Sequence, residues 1–146
     1  MEHTDQMILA LLSREGRMSF TELGRQVGLS TSAAQQRVRK LEQRGIITGY
    51  RADIDPDAVG RPLTAFIEIR PLSSENAEHA PEYLASLPEI TSCYSVAGDA
   101  SYLCLAQVGS AEKLDSLLGR IRRELKVTTV TTIVLRTAFK HRPLVD

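Results

Sequence analysis

Eleven consecutive residues, Ser30 to Lys40, hold the side chains best suited to chemistry: Ser-Thr-Ser-Ala-Ala-Gln-Gln-Arg-Val-Arg-Lys. The hydroxyls of Ser30, Thr31 and Ser32 are short enough to approach phosphates and base edges. Gln35 and Gln36 carry amides that can pair bidentately with adenine, and Arg39 and Lys40 can reach phosphates or guanine. From Ser30 to Arg44 there are four basic residues and one acid, Glu42. Arg37 sits next to the apolar face of this stretch, which leaves two roles open, a DNA contact or a structural ion pair. Catalytic and metal chemistry find no comparable grouping. His3, His79 and His141 share no ligand spacing, and Cys93 and Cys104 are far from a Cys-x-x-Cys pattern. Buried strand positions suit the two cysteines. No catalytic residue, metal ligand or cofactor is expected.

The polar run needs a helix, and a helix needs bracing. Thr4 is a cap for a first helix whose apolar residues are Met7, Ile8, Leu11 and Leu12, ended by Arg14-Glu15-Gly16-Arg17. Ser19 and Glu22 have capping-box spacing, in which each side chain satisfies the other residue's backbone N–H. Phe20, Leu23 and Val27 follow as a stripe, and Gly28 closes that helix. Ser30 caps a third helix with Ala34, Val38, Leu41 and Gly45 on one face. Helix, Gly-containing turn and second helix make a helix-turn-helix, here about residues 21–40, whose second helix enters the major groove. Ile46 to Ala52 reads as a strand and turn.

Charge divides along the same line. Residues 1–51 carry eight Lys/Arg and five Asp/Glu, and residues 52–146 carry ten and thirteen. The basic half is the one expected to meet a polyanion. Residues 53–62 have linker composition, with two prolines, a glycine and three aspartates. Beyond them come a strand at 63–70, a helix at 74–87 with Pro81 in its first turns or at a kink, strands at 90–97 and 102–108, a helix at 110–125 and a strand at 127–135. The order is βαββαβ. The expected class is therefore α+β, with a winged helix-turn-helix at 1–52, a linker at 53–62 and a ferredoxin-like domain at 63–146. No apolar run is long enough to span a bilayer and the N-terminus is polar, so a cytoplasmic protein is expected. Leu63, Ala65, Ile67 and Ile69 oppose Phe66 along the first strand, and Val130 and Val134 oppose Val127, Ile133 and Leu135 along the last. Both faces of the sheet thus carry apolar groups, and the face without helices calls for a partner copy.

Val27-Gly28-Leu29-Ser30-Thr31-Ser32 and the run Arg37-Val38-Arg39-Lys40-Leu41-Glu42-Gln43-Arg44-Gly45-Ile46-Ile47-Thr48-Gly49-Tyr50 resemble the Lrp/AsnC family of prokaryotic regulators. Ala52 to Pro56 and Gly60 resemble its linker. Val96-Ala97-Gly98-Asp99 with Tyr102-Leu103 resembles its Gly-Asp-x-Asp-Tyr loop, and Thr132 to Leu135 its last strand. The resemblance covers roughly residues 4–138. It implies a nucleoid-associated regulator that binds double-stranded DNA, pairs subunits through the second domain into dimers, tetramers or octamers, and binds a small effector, usually an amino acid, between dimers. Gly98, Asp99, Ala100, Ser101, Tyr102 and Thr132 would line the effector site. There Gly98 would leave room for a ligand carboxylate to reach the backbone N–H, and Asp99 would pair with an ammonium group. Two residues depart from the pattern. Ser101 stands where the family usually has an aspartate, and Val130 where it usually has a threonine.

Other functions fit the same scaffold. Sirohaem decarboxylases resemble the family in both domains, but they would need His and Arg around a tetrapyrrole pocket. His79 and His141 show no such pairing in the sequence. An architectural protein that compacts DNA with little sequence preference is a further alternative.

Overall fold

The structure is a computed structural model that describes residues 1–146. It divides into two compact units, Met1–Asp53 with Ala138–Asp146, and Ile54–Thr137. The tail at 138–146, read from sequence as the end of the second domain, thus groups with the first unit.

The first unit holds α1 (His3–Arg14), α2 (Phe20–Val27) and α3 (Thr31–Gln43). Helix α1 starts earlier than a cap at Thr4 would place it. Its N-cap is Glu2 with no side-chain capping bond, and Thr4 lies inside the helix. Half of the capping box forms. Ser19 Oγ accepts from Glu22 N at 3.1 Å, but the Glu22 carboxylate turns to Arg25 and Gln26 instead. Those bonds hold the Glu22 carboxyl down at about 2, with Arg25 the first cause. Gly28 ends α2 with φ 73°, a left-handed conformation that costs a glycine little. Ser30 caps α3 by accepting from Ala33 N. Ile8, Leu23, Ala34, Val38 and Leu41 form the core. Gly45 lies past the end of α3, not on its core face.

Residues 46–52 form no strand. The N–H groups of Ile46 and Ile47 both donate to Leu41 O, at 2.9 and 3.2 Å, so the chain turns tightly off the helix. Both side chains pack on the core. Tyr50 then donates to Glu42 Oε1 at 2.9 Å, and burial followed by that bond pushes its hydroxyl up to about 12.

The second unit holds β1 (Leu63–Pro71), α4 (Ser74–Ala85), β2 (Ile90–Ser95), β3 (Tyr102–Val108), α5 (Ala111–Leu125) and β4 (Val127–Ile133). The sheet is antiparallel, in the order β2-β3-β1-β4. Helix α4 and strands β2 and β4 are each two residues shorter at the C-terminal end than the sequence suggests. Ala65, Ile67 and Ile69 alternate on β1 and are fully buried with Cys104, Ala106 and Val108 of β3 against the helix stripe Leu114, Leu117, Ile121 and Leu125. Burial pushes the Cys104 thiol up to about 12. Upstream of β1, a hydrogen-bonded turn at 56–60 closes through Arg61 N to Pro56 O at 2.8 Å.

Pro81 is the eighth residue of α4, in its interior and not in its first turns. It has no N–H to give Ala77 O, four residues back. Tyr102 Oη of β3 donates to that carbonyl instead, at 3.0 Å.

Candidate nucleic-acid interface and effector loop

Helix α3 turns its core side, Ala34, Val38 and Leu41, inward. At 100° per residue the opposite face is centred on Ser32, Gln36, Arg39 and Gln43, with Gln35 and Lys40 on its flanks. Arg39, Lys40, Gln36 and Ser32 are exposed, and Gln35 is half-buried. Neither Arg39 nor Lys40 is drawn into an ion pair. Ser30 and Thr31 are less free. The Ser30 hydroxyl holds the cap and lies 3.3 Å from Ser32 Oγ. Thr31 Oγ1 donates to Thr21 Oγ1 at 3.3 Å, which ties the two helices of the motif together. Gln43 joins this face although the polar run from Ser30 to Lys40 stops short of it. Its spacing of seven from Gln36 and four from Arg39 carries the signal.

Arg37 takes the structural role of the two left open. Its guanidinium spans Asp5 Oδ1 of α1 and Oε2 of that helix's N-cap, Glu2, both at 2.8 Å. The Asp5 side chain is only 12% exposed. These two acids, Asp5 first, raise the Arg37 pKa above its ordinary value. The pair fixes α3 to α1 and leaves the outer face of α3 to Arg39 and Lys40.

In the second unit the loop between β2 and β3 carries Gly98, Asp99, Ala100 and Ser101. Gly98 has φ 156°, with open space where a Cβ would stand. Asp99 is exposed. Ala100 is 6% exposed, so its side chain is withdrawn from solvent. The Ser101 N–H donates to Ile69 O at 3.0 Å, and its carbonyl accepts from Val96 N. The Tyr102 hydroxyl is already spent on Ala77 O, which makes Tyr102 a support of the loop. Thr132 is not brought to the loop within one chain. Its register partner on β1 is Phe66, whereas the loop lies beyond Ile69. Three residues of strand are roughly 10 Å.

This is the arrangement of a helix-turn-helix DNA-binding protein with a separate ligand-binding unit, and comparison with known proteins defines it further. Residues 1–48 match the winged helix-turn-helix DNA-binding family, and residues 64–144 match the Lrp/AsnC ligand binding domain. The HTH-type transcriptional regulator LrpA of Mycobacterium tuberculosis is 44% identical over 142 residues, 97% of this chain and 95% of the relative. The structure of a feast or famine regulatory protein from M. tuberculosis complexed with L-methionine superposes with a TM-score of 0.95 at 43% identity, covering 99% of each chain. E. coli AsnC superposes with a TM-score of 0.88 at 32% identity, covering 96% of this chain and 95% of its own. The chain belongs to the Lrp/AsnC family of transcriptional regulators. None of its helices is long and apolar enough to cross a membrane.

Proposed function

We propose that this protein reads an operator through the outer face of α3 and answers to a free amino acid bound at the Gly98–Ser101 loop. The observation that carries the reading is the division of labour on α3. Arg37 is tied inward to Asp5 and Glu2, and Arg39 and Lys40 are left unpaired on the face opposite the core. In gel shifts on the region upstream of its own gene, Arg39→Ala and Lys40→Ala each lower affinity on all sequences. Each also makes the slope of log K against log salt shallower, by about 0.9 for every phosphate that the variant leaves unneutralised. Gln36→Ala instead relaxes base preference. An unchanged slope in both basic variants removes them from the interface.

The effector reading draws on the exposed Asp99, which suits an ammonium group, and on the open space at Gly98, which lets a ligand come close to the backbone. The relative crystallised with L-methionine supports the ligand class. A sheet-to-sheet dimer completes the reading. The face away from α4 and α5 carries Phe66, 41% exposed, with Val130 and Tyr94 also exposed and Leu103 half-buried. Such a patch favours association. Thr132 lies on it, so a second copy is the route by which Thr132 could approach a loop. Two linked helix-turn-helix units then bind half-sites spaced by about one turn of DNA or a multiple. In sedimentation equilibrium at micromolar concentration the wild type has at least twice the protomer mass, and Phe66→Glu lowers it. A wild type that stays at protomer mass overturns the dimer.

A further inference from the structure

Arg70 lies near the end of β1, alternating with Phe66 and Glu68 on the sheet face turned away from the helices. Its Cα partner in β4 is Thr128. On the other side the pairing of Ile69 with Tyr102 brings Ser101 beside it. Both neighbours grip the backbone at this point, Ser101 N–H on Ile69 O at 3.0 Å and Thr128 Oγ1 on Arg70 O at 3.4 Å.

The guanidinium itself is poorly satisfied. The carboxylate nearest to it is Glu68, 3.8 Å from Nη2, which is beyond hydrogen-bonding distance. Arg70 Nε is shielded from solvent and has no acceptor. An arginine kept for structure has its donors taken up, as Arg37 has, because a buried N–H without an acceptor is costly. Ser101 is neutral and supplies no counter-charge, so Asp99 is the one carboxylate of the 98–101 loop. A cation on a rigid strand and an anion on the adjoining loop form a pair of opposite poles.

We propose that Arg70 binds the α-carboxylate of the amino-acid effector, with the Ser101 hydroxyl beside it and Asp99 taking the ammonium group. This rests on the reading of the Gly98–Ser101 loop as the effector site. The planar guanidinium matches a carboxylate bidentately, and its terminal nitrogens, on a side chain 39% exposed and without a hydrogen-bonded counter-ion, are the edge a ligand can reach. The carboxylate of a second copy of this chain offers the same chemistry, so the test separates the two sources.

Calorimetry on the full-length protein uses the twenty amino acids and, for each that binds, its α-amide, which lacks the carboxylate. The wild type should bind the acid roughly tenfold to a hundredfold tighter than the amide. Arg70→Gln should lose that preference and bind both alike, and Arg70→Lys should keep part of it. Sedimentation mass and thermal melting are recorded on each variant. Arg70→Gln binding the acid as tightly as wild type overturns the proposal, and the loop reading survives if Asp99→Ala still weakens binding. A fall in mass with ligand affinity unchanged assigns Arg70 to a second copy's carboxylate and also overturns it. A wild type that binds no amino acid removes the loop reading and the proposal together. If Arg70→Gln melts early, Arg70→Lys carries the comparison of acid with amide.

Discussion

Gly24→Ala is expected to cost this protein its DNA binding while leaving the second unit folded. A Cβ built on Gly24 would lie 2.6 Å from Leu29 O and 3.1 Å from Ser30 O. Both are backbone atoms of the turn between α2 and α3, so no side chain can swing aside. The same glycine's carbonyl accepts from Leu29 N at 2.8 Å, so the turn is drawn onto it. Relief requires α2 and α3 to separate, and overpacking of this kind costs about 1–3 kcal/mol, occasionally more. The unit has five fully buried core residues to absorb that strain. A domain of that size has little stability in reserve. Operator affinity in gel shifts should fall at least tenfold, with a new low-temperature melting transition. Gly28→Ala is the comparison. There the added Cβ meets open space, and the cost is the left-handed backbone alone, about 1–2 kcal/mol. Gly24→Ala that melts and binds as wild type would mean that the turn is not packed as described.

Gly24 shows where reading from sequence stops. Ser19, Gly28 and Ser30 were legible because a cap or a helix end acts on its own few residues. The need for glycine at 24 comes from residues 29 and 30 folding back on it, a through-space demand with no local signature. Arg37 and Asp5 are 32 residues apart, so the sequence could offer the ion pair only as one of two roles for Arg37. Ile46-Ile47-Thr48 carried a strand signal because its residues are β-branched, but no second strand in that unit is available to pair with it, and the two isoleucines serve as core instead. In the second unit, alternation identified the faces of β1 correctly. The same alternation runs through Ala100, Tyr102 and Cys104, so the burial of Ala100 was there to be read. What alternation does not give is register. Thr132 shares a face with Arg70, but only the pairing of β1 with β4 shows that Thr128, not Thr132, lies beside it.

Tyr102 carries the second large effect, and it is expected to appear as a coupling with Pro81. Tyr102→Phe removes the hydroxyl that donates to Ala77 O, and Pro81 has no N–H to take its place. The carbonyl is partly buried, so the loss should be about 1–2 kcal/mol, in the lower part of the range for an unsatisfied acceptor. Pro81→Ala restores the missing helical N–H and removes the ring from the interior of α4. It should stabilise the unit, since an interior proline costs about 3 kcal/mol relative to alanine. In the Pro81→Ala background the Ala77 carbonyl has its own donor, so Tyr102→Phe should cost clearly less than in wild type. Four urea melts of full-length protein give the cycle, with an expected coupling of about 1 kcal/mol, within the span seen for residues that share a partner. The proline and the tyrosine would then be one device. A helix that cannot close its own hydrogen bond takes the donor from the first residue after the Gly98–Ser101 loop, and so holds the exit of that loop against α4. Equal costs for Tyr102→Phe in both backgrounds would show that the hydroxyl does not stand in for the proline's missing N–H.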